Sequence, residues 1–199
     1  MKKKIAITGG IGSGKSEAIK IIKSLGFPVF SCDEIYKEVI HSKEYIELIE
    51  NNFPSCVKNG IIDKKELAAI IFDQSEKRNL LNSLAHPLIM KQLLNQMEQT
   101  STVLVFAEVP LLFEGGLETL FDHIIIIRRS KTARIQSVIQ RDNLTQEEIQ
   151  KRIEAQFDYS EENLKNISTR NSVTIIPNEE DLLLFKEIII NEISKLEQS

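Results

Sequence analysis

One short segment constrains this chain more than any other: Gly9-Gly10-Ile11-Gly12-Ser13-Gly14-Lys15-Ser16. It follows an apolar run, Ile5 to Thr8, and precedes a stretch with helical spacing at Ala18, Ile21, Ile22 and Leu25. A buried strand that opens into glycines and re-enters as a helix is the setting of the G-x-x-x-x-G-K-[ST] phosphate loop. Glycines let backbone N–H groups converge on phosphate oxygens, and the helix N-terminus adds partial positive charge. Lys15 has the reach for β- and γ-phosphates, and the Ser16 hydroxyl is placed to ligate Mg²⁺. The backbone N–H of Glu17 is expected at the α-phosphate. The expected ligand is ATP with Mg²⁺; the alternative is a glycine-rich turn without a ligand.

The rest of the chain alternates in pattern. Gly26 ends the first helix, and Phe27 to Phe30 reads as a second strand. From Asp33 to about Thr100 the pattern is mostly helical, with no strong strand. There Asp63 is a helix cap, and Pro87 suits the first turn of another helix running through Ile89, Leu93 and Leu94. Thr102 to Ala107 and His123 to Ile127 are almost wholly apolar, as strands covered on both faces are. Ser130 to Arg141 and Thr145 to Tyr159 have helical spacing. Val173 to Ile176 reads as the last strand. Asn178 fits an N-cap, with Glu179, Glu180 and Asp181 at the positive end of a helix whose apolar face is Leu182, Phe185, Ile189, Ile193 and Leu196. Strands alternating with helices predict an α/β fold with a mainly parallel sheet between helical layers.

Charge and cysteine content narrow the function classes. Twenty-nine acids against 25 bases give a net charge of −4, which offers no general affinity for nucleic acid. No apolar run has the length of a membrane span, so no membrane partner is expected and the cytoplasm is the expected location. Cys32 and Cys56 form no CxxC pair and read as reduced thiols. Neither NKxD nor DxxG occurs, which argues against a GTPase switch.

The ordered series around the loop resembles the dephospho-CoA kinase family over nearly the whole chain. ITGGIGSGKS opens it; Asp33 follows the second strand, where the family carries Asp-x-Asp. Then come Phe53, Gly60, Asp63, Leu67, Phe72, Arg78, Leu81 and His86-Pro87. Pro110-Leu111-Leu112-Phe113-Glu114 follows, then Arg141-Asp142 with Leu144, and last Arg152 and Gln156. The resemblance implies a P-loop NTPase three-layer sandwich: a five-stranded parallel sheet, a helical acceptor-binding insertion at about 33–100 and a helical lid at about 136–160, in one kinase domain. It implies transfer of the γ-phosphoryl group of ATP to the ribose 3′-hydroxyl of dephospho-CoA. Another small-molecule or nucleoside monophosphate kinase, or a nucleotide-binding regulatory module, are the alternatives. The chain departs from the family at Ser31 (for the first acid of Asp-x-Asp), Glu17 (for Thr), Lys64 (for Arg) and Ser137 (for a lid Arg). Arg134 stands one turn before Ser137. Of the late Asn-x-Gly signal, Asn178 remains and Glu180 holds the glycine position.

These residues carry the expected roles. Gly9, Gly10, Ile11, Gly12, Ser13, Gly14, Lys15, Ser16, Glu17 and Asn178 are the nucleotide-binding set. Lys15, Asp33 and Arg141 are the catalytic set, with Ser16 and Asp33 the metal candidates. Asp33 is expected to orient or deprotonate the acceptor hydroxyl; its structural alternative is a helix N-cap. Arg141 is expected to stabilise the transferring phosphoryl group; its alternative is pairing with Asp142 or Glu148. Asp33, His86, Pro110, Leu111, Leu112 and Glu114 are the expected acceptor contacts. Against these stand core packing for Leu111 and Leu112 and a buried or capping histidine at His86. Glu108 is a second candidate for Mg²⁺ through water, and Arg152 and Gln156 either line the lid or decorate it.

Overall fold

The computed structural model describes residues 2–142, 144–169, 172–179 and 181–198; Asn143 and Glu180 lie outside them. The apolar runs form the strands. Lys3–Thr8 (β1) is followed by helix Lys15–Ser24 (α1) and strand Val29–Ser31 (β2). Later in the chain come Leu104–Glu108 (β5), His123–Arg128 (β6) and Val173–Pro177 (β7). They form one five-stranded sheet in the order β2-β5-β1-β6-β7. β1 is central and pairs in parallel with β5, Lys3 opposite Leu104, and with β6, Ile5 opposite His123. β6 pairs in parallel with β7, Ile124 opposite Val173.

Two-residue alternation sends side chains to opposite faces of each strand, and both faces here are buried. Ile5, Ile7, Leu104, Phe106, Ile125 and Ile127 pack with α1 residues Ala18, Ile21 and Ile22. Helix Leu182–Gln198 (α9) joins the same core through Phe185, Ile189, Ile193 and Leu196. Ala6, Val105, Ala107, Ile124 and Ile126 are equally buried. Each fully buried isoleucine contributes about 1.5–3 kcal/mol, so the sheet holds the loop after β1 on a rigid base.

The chain divides into two compact units, one of Ser31–Gln96 and one of the residues on either side. The first contains helices Cys32–Val39 (α2), Lys43–Asn52 (α3) and Lys64–Asp73 (α4), and most of Ser75–Gln99 (α5). The Ser42 hydroxyl caps α3 at Tyr45 N, and Asp63 caps α4 by accepting from Lys65 N and Glu66 N (3.2 and 3.1 Å).

Several local expectations are corrected. Val57–Lys58 (β3) and Ile61–Ile62 (β4) form a small antiparallel hairpin in the stretch read as helical. Its turn, Asn59-Gly60, has positive φ at both residues (54° and 73°), and Asn-Gly is the sequence signal for such a turn. Pro87 does not open a helix; it lies inside α5. The missing N–H costs about 3 kcal/mol, but Leu81, Ala85, Ile89, Leu93 and Met97 are buried at every fourth position along α5, and that continuous face offsets it. The helix expected from Thr145 to Tyr159 stops at Glu154, and a separate helix that was not expected starts at Glu161. Gln146–Glu154 (α7) starts with a Thr145–Glu148 capping box, and Glu161–Ser168 (α8) is capped by Ser160. Asn178 does not cap α9. Asp181 does, accepting from Leu183 N (2.8 Å) and Leu184 N (3.2 Å), and Leu182 is exposed rather than part of the apolar face.

Candidate active site

The loop after β1 is shaped by close approach. A side chain at Gly10 would overlap the guanidinium of Arg134, which comes from helix Lys131–Asp142 (α6). A side chain at Gly14 (φ 99°) would overlap the Asn178 amide, whose Nδ2 donates to Ser13 O (2.8 Å). Asn178, freed from a capping role, thus holds the loop from the end of β7.

Two donors expected to face phosphate are used internally. Ser13 N donates to Gly10 O (3.1 Å) and Glu17 N to Gly14 O (3.0 Å). The Glu17 side chain pairs with Lys20. The amides of Lys15 and Ser16 are first-turn groups of α1, which helix geometry leaves without an i−4 acceptor. The Ser16 hydroxyl is exposed, while Ser13 Oγ is buried without a hydrogen-bond partner. A polar atom left so in a cradle of amides is matched by an oxyanion ligand.

Lys15 Nζ curls into the loop and donates to Gly9 O (2.6 Å) and Gly10 O (3.3 Å). Burial lowers its ammonium to about 8; Glu108 and Glu114 oppose the shift, while Arg134 and Arg141 add to it. These four side chains therefore share an electrostatic neighbourhood with Lys15. Bound triphosphate favours the charged lysine and raises its value again. Between the depressed value and the ordinary 10.5, nucleotide binding must take up a proton. Calorimetry at about pH 9 in two buffers of different ionisation enthalpy is expected to show that uptake in the wild type and not in Lys15→Ala. Equal proton balance in both would take Lys15 out of contact with phosphate.

Arg141 is bidentate to Asp142 (Nε–Oδ1 2.6 Å, Nη2–Oδ2 2.8 Å), the pairing its structural alternative describes. Of the acceptor set in this unit, Leu112 is fully buried and belongs to the core, whereas Leu111 is partly exposed. Glu114 Oε1 accepts from Phe157 N (2.7 Å). Tyr159 meets Phe113 and Phe157 edge to face, the Phe113 and Phe157 rings are tilted by 42°, and the Tyr159 hydroxyl meets Thr8 Oγ1 at 3.3 Å. That cluster ends α7 early, since rings at Phe157 and Tyr159 dock where a continuing helix would carry them elsewhere. No local sequence signal marks Tyr159. At Ser137 the hydroxyl accepts from Arg129 Nη1 (2.7 Å).

Asp33 and His86 belong to the 31–96 unit. Asp33 is exposed in the first turn of α2, whose N-cap is Ser31, so it is not the cap. It lines a cleft of about 550 Å³ with Tyr36, Tyr45, Lys64, Leu67 and Ile71. His86 is half-buried within α5, and burial pushes its imidazole below the ordinary value, favouring the neutral form. Among the described residues, no cluster of three His, Cys, Asp or Glu is preassembled for a metal, and no helix is long and apolar enough to cross a membrane.

A family model described as dephospho-CoA kinase matches residues 3–179. The chain belongs to the dephospho-CoA kinase family. A dephospho-CoA kinase from Fusobacterium nucleatum is 33% identical over 187 residues, 92% of this chain and 94% of the relative. One from Geobacillus kaustophilus is 33% identical over 163 residues, 79% of this chain and 81% of the relative. A solved Thermus thermophilus structure is 28% identical and covers 98% of each chain with a TM-score of 0.79. The Campylobacter jejuni dephospho-CoA kinase is 27% identical over the same shares, with a TM-score of 0.67. A deoxyadenosine kinase from M. mycoides shares the fold at 18% identity and a TM-score of 0.50, over 96% of this chain and 99% of its own. Family membership makes this chain a nucleotide-binding kinase of coenzyme A biosynthesis, and the P-loop kinase fold is the one its sheet order displays.

Proposed function

We propose that this protein transfers the γ-phosphoryl group of ATP, with Mg²⁺, to the ribose 3′-hydroxyl of dephospho-CoA, giving coenzyme A and ADP. The observation that carries this reading is the Gly9–Ser16 loop with Lys15 inside it, in a chain matched by the family model from residue 3 to 179. The orphaned Ser13 hydroxyl, the first-turn amides of α1 and the desolvated Lys15 ammonium all suit a triphosphate.

In this reading the acceptor oxygen attacks the γ-phosphorus, the bond to the β-bridging oxygen breaks, and the hydroxyl proton passes to Asp33. Lys15 neutralises charge on the β- and γ-oxygens, and Arg141 leaves Asp142 to meet the transferring group. Bound Mg²⁺ would supply charge neutralisation to the phosphates, and the Ser16 hydroxyl, with the Asp33 carboxylate as a second candidate, would hold it; magnesium sites commonly use few protein ligands beside substrate phosphates. Pro110, Leu111 and Glu114 border the acceptor. Two glutamates and two arginines around one lysine keep the neighbourhood near balance until phosphate arrives.

Turnover with ATP·Mg²⁺ and dephospho-CoA, beside nucleoside monophosphates as acceptors, tests the proposal. Formation of ADP and coenzyme A with dephospho-CoA alone is the expected result. Preference for a nucleoside monophosphate would move the protein to another acceptor class. ATP binding without any transfer would make it a nucleotide-binding module.

A further inference from the structure

Ile11 is held on both sides by side chains from outside the phosphate loop. Its carbonyl accepts from Arg134 Nε of α6 (2.8 Å), and its N–H donates to Gln156 Oε1, just beyond α7 (2.7 Å). We propose that Arg134 and Gln156 are a pair of positioning residues that clamp Ile11 and set the phosphate loop in its nucleotide-accepting shape before nucleotide binds. The inference rests on reading Gly9–Ser16 as the ATP site.

Three observations support it. Ile11 stands between Gly10 and Gly12, and Gly12 has φ 76°, so the loop's own backbone has little preference for one conformation here. An external hold is what converts that freedom into a fixed cradle, and fixing it beforehand removes an ordering cost from binding. Arg134 is only 9% exposed, yet no carboxylate pairs with it among the described residues. An apolar chain of similar length fills space without the desolvation cost of a guanidinium, so packing alone does not account for an arginine at this position. Its Nε hydrogen bond to Ile11 and its contact face on Gly10 are what distinguish it. Finally, the segment carrying Gln156 is itself anchored beside the loop, through Tyr159 on Thr8 and Phe157 N on Glu114, so the acceptor oxygen arrives on a fixed support.

The two contacts act on one residue and act as a unit: release on one side frees Ile11 to leave the other. That predicts non-additivity. Arg134→Met, Gln156→Leu and the double variant are compared by calorimetric titration with ATP·Mg²⁺ in the absence of acceptor, and by turnover with dephospho-CoA. Each single variant is expected to bind ATP about tenfold more weakly, and the double variant about as weakly as either single. The KM for ATP should rise in parallel, while in Gln156→Leu kcat at saturating ATP and the KM for dephospho-CoA stay within about twofold of wild type. A purely structural role would lower stability without this split. Thermal melts accompany the titrations, and Gln156→Leu, at a half-buried site outside any helix, carries the test if Arg134→Met fails to fold. Wild-type ATP affinity in folded Gln156→Leu, or strict additivity in the double variant, overturns the clamp. If the wild-type protein itself does not bind ATP, the reading of the loop fails instead, and the two failures are told apart by that one titration.

Discussion

Lys15→Ala is expected to lower phosphoryl transfer by ~10²-fold or more, the scale for removing a preorganised charge from a transition state. The fold should be unharmed, although the Lys15 side chain does not project into solvent. Its ammonium is folded into the loop against Gly9 O and Gly10 O, and burial disfavours its charged form. Below a pH of about 8 the native state therefore carries an ammonium that the unfolded chain holds more comfortably. Removing it relieves that desolvation, so the melting temperature should be equal to or above wild type in the absence of nucleotide. Turnover and a thermal melt on the same preparation decide the matter. A variant with near wild-type turnover removes Lys15 from the mechanism, and an unfolded one contradicts the electrostatic argument.

Asp33→Asn is expected to reduce kcat by about 10²–10⁴-fold, the range for a positioned general base, with ATP affinity nearly unchanged. The motivating observation is an exposed carboxylate in the first turn of α2 that does no capping, because Ser31 holds the N-cap position. The structural contribution of this aspartate reduces to a charge–dipole interaction at the helix start, about 0.3–1 kcal/mol, so the variant should fold. Asparagine keeps the size and loses both the negative charge and the ability to take the hydroxyl's proton. Ser31→Asp is the complementary variant: with a second acid beside the metal candidate, activity should be equal or higher. Full activity in Asp33→Asn would leave Asp33 as a surface residue of α2 and the base unassigned.

The strand–glycine turn–helix form of the loop was legible because it is local. Ile5 to Ser16 are contiguous, and a buried strand, a glycine-rich turn and a helix start are each specified by near neighbours in sequence. The strands were legible for a similar reason: the run Thr102 to Ala107 is almost wholly apolar, and Leu104 to Ala107 are buried in the sheet while Val103, before the strand, is exposed. The Asn59-Gly60 turn also carries a local signal, but the helical pattern on either side masks the two-residue strands it joins.

Other features depended on partners far away in the chain. Pro87 has a local preference for a helix start, and only the burial of Leu81 and Ala85 upstream, in register with Ile89 and Leu93, shows why α5 runs through it. The end of α7 is set by Phe113 and the loop, not by a breaker after Glu154. Asn178 has the makings of a cap, yet its amide goes to Ser13, and Asp181 takes the helix.

The sequence by itself determined the phosphate loop, the five strands of the main sheet, and the family, since these rest on contiguous residues and their order. Only the tertiary structure decided which side chains reach the loop from elsewhere: Arg134 and Gln156 on Ile11, and Asn178 on Ser13. The physical reason is range. Hydrophobic periodicity and turn chemistry act over a few residues and leave a mark in the sequence. A hydrogen bond between residues 11 and 156 exists only after the sheet has brought the two segments together.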